Sequence, residues 1–380
     1  MKVLFVTSEL YPWKTGGVQN VVYNLAARLG EEIDLEMICI HLGDGEEGLD
    51  GYGDGVTFRF IEDRGAGPLK YLYRNLAYIR ADGGLEDFDI VHFHILPGAN
   101  CAFLPRHIKR RSEARLLLSV YDWIPDELEF YDTGEKVRHL MHWAAAKRGL
   151  KNFDGYIVNS SYVKDIVESY GLTGVTIMPN GIDMDEWRTS RRLALRGSTN
   201  ILFWGRLFPK KGVDHLIKAF AVVTRRYRDI HLYIGGEGPH ECHYRKLCRR
   251  LGLENRTTFL GGLSKDDLKA YLNSCDFCVF PSIYEGFGIA VLEAMAASRP
   301  VIVSERGGQV DFARHAFNAL LVDLDKPDQL PHAIQSLATD ERLRRELGEN
   351  AARTATEYNW RDIAGRYVEL YESMLSKGGI

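Results

Sequence analysis

The sequence predicts an α/β protein built from two doubly wound, mostly parallel sheets, and three observations indicate this fold class. Short runs rich in β-branched and aromatic residues alternate with amphipathic helical stretches along most of the chain, which is typical of parallel strands joined by helices. The length of 380 residues exceeds one usual domain and suffices to bury large cores without disulfides or metals. The 37 glycines show no repeating period, and they indicate tight turns or backbone that approaches a ligand closely.

The first half of the chain contains six predicted strands, with helical stretches between several of them. An apolar run at 3–8 precedes a stretch at 18–29 whose apolar residues recur every three or four positions, as on one face of a helix. Later strands are predicted at 35–40, 56–61, 89–94, 116–120 and 155–158, and helices near 69–80, 98–111, 135–151 and 161–170.

A turn and a change of composition divide the chain near its middle. The segment Met-Pro-Asn-Gly at 178–181 carries turn chemistry, and a polar, basic stretch at 186–199 follows it. We therefore predict a first α/β domain over 1–180, a linker over 181–198 and a second α/β domain over 199–359. The second domain has strands predicted at 201–204, 230–234, 257–260, 277–281 and 300–303, and helices at 212–227, 239–251, 265–273 and 288–297.

Composition and charge exclude several classes of protein. Lysine and arginine number 48 and aspartate and glutamate 52, so the formal net charge is −4, which gives no electrostatic reason to expect a nucleic-acid partner. No stretch approaches about 18 uninterrupted apolar residues, so we expect no transmembrane helix. The first apolar run is too short for a signal-peptide core and six cysteines are too few for a disulfide scaffold, so the expected location is cytoplasmic.

The loop after the first predicted strand has features of a phosphate-binding turn. Lys14, Gly16 and Gly17 lie just before the predicted helix, where glycines let amide groups approach an anion and the helix N-terminus attracts negative charge. No G-x-G-x-x-G follows this strand, so the dinucleotide fingerprint is absent. A plain strand-to-helix turn is the alternative that this segment leaves open.

Two loops of the second half add cations and glycines. Arg206 follows a predicted strand and Lys211 precedes a helix in one Gly/Pro-containing loop, and a guanidinium fork beside a point charge suits a diphosphate. Each such charge-assisted hydrogen bond contributes about 1.5–3 kcal/mol. Gly236 lies in a second loop, whose several glycines indicate close backbone approach. The alternative for the cations is a solvated basic turn.

The segment 281–293 is the most informative part of the sequence. Glu285 follows a predicted strand, and Glu293 lies within the next helix. The stretch between these glutamates spans about 12 Å as a helix, roughly the length of a sugar-diphosphate-ribose unit. A carboxylate at each end can accept sugar hydroxyls, while the helix N-terminus offers amide groups to phosphates. Solvated glutamates are the alternative, which the matching chemistry of the other strand-end loops disfavours. The residues that lead into the helix are Gly286, Phe287, Gly288 and Ile289.

Taken together, these segments resemble family four of the retaining glycosyltransferases, and residues 8–17 are similar to its glycogen and starch synthase-like members. The resemblance implies the GT-B fold, in which two Rossmann-like domains face a central cleft and a final helix, here within 360–380, crosses back to the first domain. The segments are Lys14-Thr-Gly-Gly17, Asn180-Gly-Ile-Asp183, Gly205-Arg206 with Lys211-Gly212, Gly236-Glu-Gly-Pro239, and Glu285-Gly-Phe-Gly288 with Glu293.

The resemblance also implies a reaction. A hexose would move from a nucleotide-diphosphate sugar to a hydroxyl group of a glycan, a small molecule or a lipid-linked acceptor. The anomeric configuration would be retained, and neither a catalytic metal nor a cofactor would be needed. Two alternatives stay open, namely a GT-B sugar-nucleotide epimerase and a non-catalytic relative that binds a sugar nucleotide or glycan.

Each matching residue receives a role from the resemblance. Glu293 would hold the ribose and Glu285 the transferring sugar. Arg206 and Lys211 would grip the diphosphate and stabilise its leaving charge, which is the electrostatic role that usually dominates such sites. Amide groups of residues 286–289 would bind phosphate and sugar. The remaining donor contacts would come from Gly236 and from Gly16 and Gly17 of the first domain, with Lys14 nearby.

Candidates for the acceptor and sugar side follow two strands of the first half. Family members commonly place a histidine near the sugar, and that position falls near Pro97 here. His94, at the end of a predicted strand, and the pair Tyr121 and Asp122 after the next strand are therefore the candidates. A structural histidine is the alternative for His94.

Two other groups of residues are discounted. Cys275 and Cys278 have C-x-x-C spacing, but a zinc site needs four convergent ligands, so no metal site is expected. The basic run at 106–111 is interpreted as a solvated helix end, in preference to a surface that docks on anionic lipid at the membrane.

Overall fold

The computed structural model describes residues 1–7, 10–11, 16–41, 49–62, 87–94, 103–121, 133–187, 189 and 191–376. They form two compact units, one made of Met1–Gly181 together with Trp360–Ile380 and the other of Ile182–Asn359. Each unit has a parallel sheet of its own, so the predicted α/β class with two parallel sheets is confirmed. The predicted helix near 69–80 lies outside the described residues.

The first unit is built on a seven-stranded parallel sheet. Its strands are β1 (Lys2–Thr7), β2 (Asp34–His41), β3 (Val56–Glu62), β4 (Ile90–His94), β5 (Arg115–Val120), β6 (Gly155–Val158) and β7 (Val175–Ile177). They lie in the order β3-β2-β1-β4-β5-β6-β7, and every neighbouring pair is parallel. Strands β1, β4 and β5 are buried almost throughout, as expected for central strands that are covered on both faces.

The second unit is built on a six-stranded parallel sheet. Its strands are β8 (Thr199–Trp204), β9 (Ile230–Gly235), β10 (Thr257–Gly261), β11 (Phe277–Phe280), β12 (Val301–Ser304) and β13 (Leu320–Val322). They lie in the order β10-β9-β8-β11-β12-β13, again with parallel pairs. The strand order reverses between β8 and β11, and ligands of doubly wound sheets bind beyond the carboxyl ends of the strands at such a point.

Eleven α-helices lie in the described part of the chain, and none of these is long and apolar enough to cross a membrane. Capping side chains mark several starts; the hydroxyl of Ser160, for example, accepts a hydrogen bond from the N–H of Val163. The helices are α1 (Gly17–Leu29), α2 (Leu104–Lys109), α3 (Thr133–Leu150), α4 (Ser161–Ser169), α5 (Val213–Val223), α6 (Glu241–Arg250), α7 (Lys265–Ser274), α8 (Ile289–Ala296), α9 (Gln329–Thr339), α10 (Glu341–Thr356) and α11 (Trp360–Ser376).

The division between the two compact units falls after Gly181, so the residues of the predicted linker over 181–198 are grouped with the second unit from Ile182 onward. The N–H of Ile182 donates a hydrogen bond of 2.7 Å to the carbonyl oxygen of Tyr358. Trp187 is only 4% exposed and is part of the hydrophobic core. Ile182 and Trp187 are buried although the residues around them are polar. Isolated buried residues show no sequence period, so they could not be predicted from the hydrophobic pattern.

Candidate functional site

Neighbouring loops of the second unit pack closely at the carboxyl edge of its sheet. Gly236, which follows β9, has a φ of 108°, and its N–H donates to the carbonyl oxygen of Gly261 over 2.7 Å. A Cβ atom on Gly236 would lie 2.0 Å from the carbonyl oxygen of Gly205, which follows β8. Only glycine fits this contact, so the loops that carry the predicted donor-binding residues have a fixed spacing.

Lys211 and Glu285 form an ion pair at the centre of this edge. The Nζ atom of Lys211 lies 2.6 Å from Oε2 of Glu285, and both side chains are partly exposed. The hydroxyl of Ser282 donates to the same carboxylate oxygen over 3.3 Å. Because these groups remain partly open to solvent, the pair adds little stability, but it holds a cation and an anion ready for a polar ligand.

The backbone fixes the ion pair from both sides. The carbonyl oxygen of Lys210 accepts a hydrogen bond of 2.7 Å from the N–H of Ile283, which joins the loop after β8 to the loop after β11. Gly212 has a φ of 64°, and a Cβ atom there would lie 1.9 Å from the carbonyl oxygen of Pro281. The approach of Lys211 to Glu285 therefore depends on a glycine at position 212.

The loop after β12 forms hydrogen bonds that hold the backbone of Glu285 and of its neighbours. The N–H of Gly308 donates to the carbonyl oxygen of Glu285 over 2.8 Å. The buried amide of Gln309 donates to the hydroxyl of Ser304 over 2.9 Å, and that hydroxyl donates to the carbonyl oxygen of Ser282 over 2.6 Å. This buried chain of hydrogen bonds, which was not predicted from the sequence, fixes the backbone around Glu285.

Arg206 presents its guanidinium group at the same edge. Its side chain is exposed, and the guanidinium carbon lies 5.7 Å from the ring centre of Phe208. Within the ranges that the structure describes, no carboxylate forms an ion pair with Arg206. Its donors are therefore available to an anion, whereas those of Lys211 are shared with Glu285.

The N-terminus of α8 adds backbone donors. Gly288 precedes the helix with a φ of 96° and supplies no side-chain cap, so the first amide groups of α8 have no acceptor within the helix. Phe287 is 3% exposed, and its ring packs against that of Phe312 at 5.2 Å. Of the predicted donor-binding residues, Phe287 can therefore offer only its backbone, while Gly286 and Ile289 flank the same turn.

Glu293 lies farther along α8, where Trp204 holds its carboxylate. The indole Nε1 atom of Trp204 donates to Oε2 of Glu293 over 3.1 Å. The pKa of Glu293 is raised to about 7, chiefly because burial desolvates the carboxylate; Trp204 and Lys265 oppose this rise and Glu186 adds to it. The sequence did not predict Trp204 as a site residue, because the last residue of an apolar strand is expected to be part of the core. A buried indole N–H nevertheless usually finds a hydrogen-bond acceptor.

The first unit places His94 in a buried aromatic cluster. The imidazole is 1% exposed, its Nδ1 atom lies 2.7 Å from the hydroxyl of Tyr121, and its Nε2 atom has no hydrogen-bond partner. Burial lowers the pKa of His94 to about 3. His92, on the same strand, contacts the hydroxyls of Tyr371 and Ser119 at 2.7 and 2.8 Å, so these histidines are neutral at ordinary pH.

Other predicted residues of the first unit lie around α1 or outside the described ranges. Gly17 opens α1 and Gly16 precedes it without a side-chain cap, which again leaves amide groups at a helix N-terminus. Lys14 and Asp122 lie outside the described residues.

The pair Cys275 and Cys278 is buried in the second unit. Their sulfur atoms are 3.8 Å apart, and burial raises the pKa of Cys278 well above its ordinary value. In the part of the chain that the structure describes, no group of three or more His, Cys, Asp or Glu residues is arranged to hold a metal ion.

Each of the two α/β units is built on a parallel sheet, and the second has cations and an uncapped helix start at one sheet edge. These features define the class of the protein as a GT-B glycosyltransferase. The sequence matches the family model for glycosyl transferases group 1 over residues 185–354 and the model for glycosyltransferase family 4 over residues 15–186. The chain therefore belongs to the family-four glycosyltransferases, as the sequence motifs predicted.

Named relatives share this family. The glycosyltransferase YqgM of Bacillus subtilis (strain 168) is 28% identical over 295 residues, which are 77% of this chain and 80% of that protein. The D-inositol 3-phosphate glycosyltransferase of Corynebacterium glutamicum (strain R) is 31% identical over 213 residues, which are 54% of this chain and 51% of that protein.

Solved structures share the fold at low sequence identity. Anabaena HepE, in complex with UDP and glucose, has a TM-score of 0.77 and 19% identity, and the match covers 98% of this chain and all of that one. Sucrose-phosphate synthase from Thermosynechococcus elongatus has a TM-score of 0.79 and 20% identity, with 99% and 100% of the two chains covered. These likenesses concern the fold alone.

Proposed function

We propose that this glycosyltransferase moves a hexose from a nucleotide-diphosphate sugar to an acceptor hydroxyl, with retention of anomeric configuration and without a metal ion. One observation carries the proposal: Arg206 and Lys211 lie on the loop after β8, and Lys211 pairs with Glu285 on the neighbouring loop, which leads to the uncapped start of α8. Two cations and free amide groups suit a diphosphate, and the adjacent carboxylate suits sugar hydroxyls. UDP is the first nucleotide to test, since HepE binds UDP and glucose.

Each residue then has a definite task. Arg206 and Lys211 stabilise the negative charge that develops as the diphosphate leaves, assisted by the amide groups at the start of α8. Glu285 accepts hydroxyls of the hexose and Glu293 accepts those of the ribose. The acceptor hydroxyl attacks the face from which the diphosphate departs, so no side chain acts as a nucleophile.

A panel of nucleotide sugars tests the donor. A ligand at 100 times its dissociation constant adds about 2.7 kcal/mol to the free energy of unfolding, which a thermal melt detects. The stabilising donor is then incubated without acceptor, and the products are followed by NMR. Slow release of the sugar as its α-anomer from an α-linked donor supports the proposal. Epimerisation at C2 would instead identify an epimerase, and no turnover of any kind would identify a non-catalytic relative.

The metal-independent character is tested by chelation. We expect EDTA to leave turnover unchanged, because Arg206 and Lys211 supply the positive charge that a metal would otherwise bring to the diphosphate. A control incubation with added manganese or magnesium ions checks for activation. Loss of turnover in EDTA that either ion restores would contradict this part of the proposal.

A further inference from the structure

Trp204 occupies an unusual place for a tryptophan at the end of a central strand. It is the last residue of β8 and is 8% exposed. Its ring packs edge-on against Phe280 with the ring centres 4.7 Å apart, while its Nε1 atom reaches Oε2 of Glu293 at 3.1 Å. One end of the indole therefore belongs to the core and the other to the candidate site.

The hydrogen bond leaves Glu293 with one committed and one available oxygen. In the described part of the chain, Trp204 is the hydrogen-bond partner of the Glu293 side chain, and Oε1 makes no such bond. The nearby charges do not compete for it, because Lys265 is paired with Glu186. An indole N–H can only donate, so it fixes an oxygen that accepts.

We propose that Trp204 is a positioning residue for the donor: its N–H holds one oxygen of Glu293 so that the other accepts the ribose hydroxyls. This inference rests on the ribose role of Glu293 in the proposed function. Without the indole N–H the carboxylate loses its fixed orientation, and donor binding must then restrict that motion itself.

Donor binding should depend on the ionisation of Glu293, and therefore on pH. Desolvation by the surrounding protein raises the pKa of Glu293 to about 7, Trp204 and Lys265 oppose the rise, and Glu186 adds to it. Ribose hydroxyls donate stronger hydrogen bonds to an ionised carboxylate than to a protonated one. Removal of the indole N–H takes away a hydrogen bond that lowers the pKa of Glu293. The pKa of Glu293 should therefore rise, and UDP binding should begin to weaken at a higher pH.

The test compares Trp204→Phe with Phe280→Leu. The first variant keeps a ring against Phe280 and removes the N–H, whereas the second disturbs the same packing and leaves the hydrogen bond. The probe is UDP, whose dissociation constant is measured by calorimetry from about pH 5.5 to about pH 9. The titration of the UDP phosphate is common to all proteins and cancels in the comparison, and thermal melts verify that each variant is folded.

We expect Trp204→Phe to weaken UDP binding about ten-fold near neutral pH, the effect of about 1.4 kcal/mol. The pH midpoint of the binding curve should rise in this variant and stay in place in Phe280→Leu. Wild-type affinity and an unmoved midpoint in Trp204→Phe would overturn the proposal. Equal shifts in both variants would also overturn it, since packing alone would then explain them.

A second measurement needs no turnover and observes the hydrogen bond in the wild-type protein directly. In the 15N-labelled wild-type protein, the indole N–H signal of Trp204 is assigned by its absence in Trp204→Phe. It should titrate near neutral pH and stop titrating in Glu293→Gln, and a signal that is insensitive to this substitution would overturn the proposal. Unchanged UDP affinity in Glu293→Gln would contradict the ribose role in the proposed function. Weakened affinity there, with wild-type behaviour in Trp204→Phe, would overturn the positioning role alone.

Discussion

The polar side chains at the strand ends of the two sheets differ in exposure and in charge. In the second unit, Lys211 and Glu285 are partly exposed and paired as charges. In the first unit, His92 and His94 are buried among aromatic rings, and burial lowers the pKa of both. Among the residues that the structure describes, the same parallel architecture therefore yields a charged edge in the second unit and a neutral, hydrogen-bonded cluster on β4 of the first.

This difference separates two kinds of chemistry. Exposed cations on a rigid backbone can stabilise negative charge that develops on a ligand, because they need no reorganisation when that charge develops. A buried imidazole with a pKa of about 3 stays neutral, and such a group binds by shape and hydrogen bonding. This contrast supports the proposal that Arg206 and Lys211 stabilise charge, and it favours a structural or orienting role for His94.

The largest effect is expected when a cation of the charged edge is removed. Arg206→Ala and Lys211→Ala should each lower turnover about 10²–10³-fold, as the loss of one preorganised donor does at comparable sites. Steady-state rates with the stabilising donor measure this effect. Lys210→Ala is the matched control, because its ammonium lies over the Tyr284 ring at 5.4 Å and has no assigned contact with the donor. Wild-type turnover in folded Arg206→Ala and Lys211→Ala would show that the diphosphate does not bind at this edge.

The two glutamates of the charged edge should fail in different ways. In the proposed function Glu285 holds the sugar that reacts, so Glu285→Gln should lower kcat more than it raises the donor KM, by the equivalent of about 1.5–3 kcal/mol. In the same proposal Glu293 holds the unreactive ribose, so Glu293→Gln should raise the donor KM and leave kcat nearly unchanged. Steady-state kinetics on both variants decide the matter, and a reversed pattern would mean that the donor runs the other way along α8.

The sequence predicted the charged edge better than the neutral cluster, for physical reasons. Glu285 lies in the loop after β11 and Glu293 in the helix that follows it, so their place at the sheet edge follows from the topology. The bond from Trp204 to Glu293 depends on rotamers that no spacing encodes. His94 shows the same limit, since its strand position was predictable while its contact with Tyr121 at 2.7 Å joins two strands through side chains alone.

Two glycines test how much the rigid backbone matters to the charged edge. Gly212 and Gly252 both have positive φ, of 64° and 67°, but a Cβ atom meets Pro281 only at the first and nothing within 4 Å at the second. Gly252→Ala should cost about 1–2 kcal/mol from backbone strain, and Gly212→Ala about 1–3 kcal/mol more from the clash. Urea unfolding measures both. UDP affinity should fall only in Gly212→Ala, and an equal loss in Gly252→Ala would show a general effect of stability.

The last comparison concerns acid, to which the two units should respond with opposite signs. His94 has an ordinary pKa of 6.5 when unfolded and about 3 when folded, so between these values only the unfolded chain takes up its proton. The first unit therefore loses stability as the pH falls through this window.

Glu293 behaves in the opposite way, since its pKa rises from 4.5 to about 7 on folding. The native state then holds the extra proton, so its contribution to the second unit is lost as the pH rises through that window. Hydrogen exchange, corrected for its intrinsic pH dependence, reports the free energy of opening of each unit. His94→Gln should flatten the slope of the first unit, and Glu293→Gln should remove the opposite slope from the second, each by at most about 1.4 kcal/mol per pH unit. An unchanged first-unit slope in His94→Gln would show that His94 takes up its proton in the native state, which would end the contrast between the two strand edges.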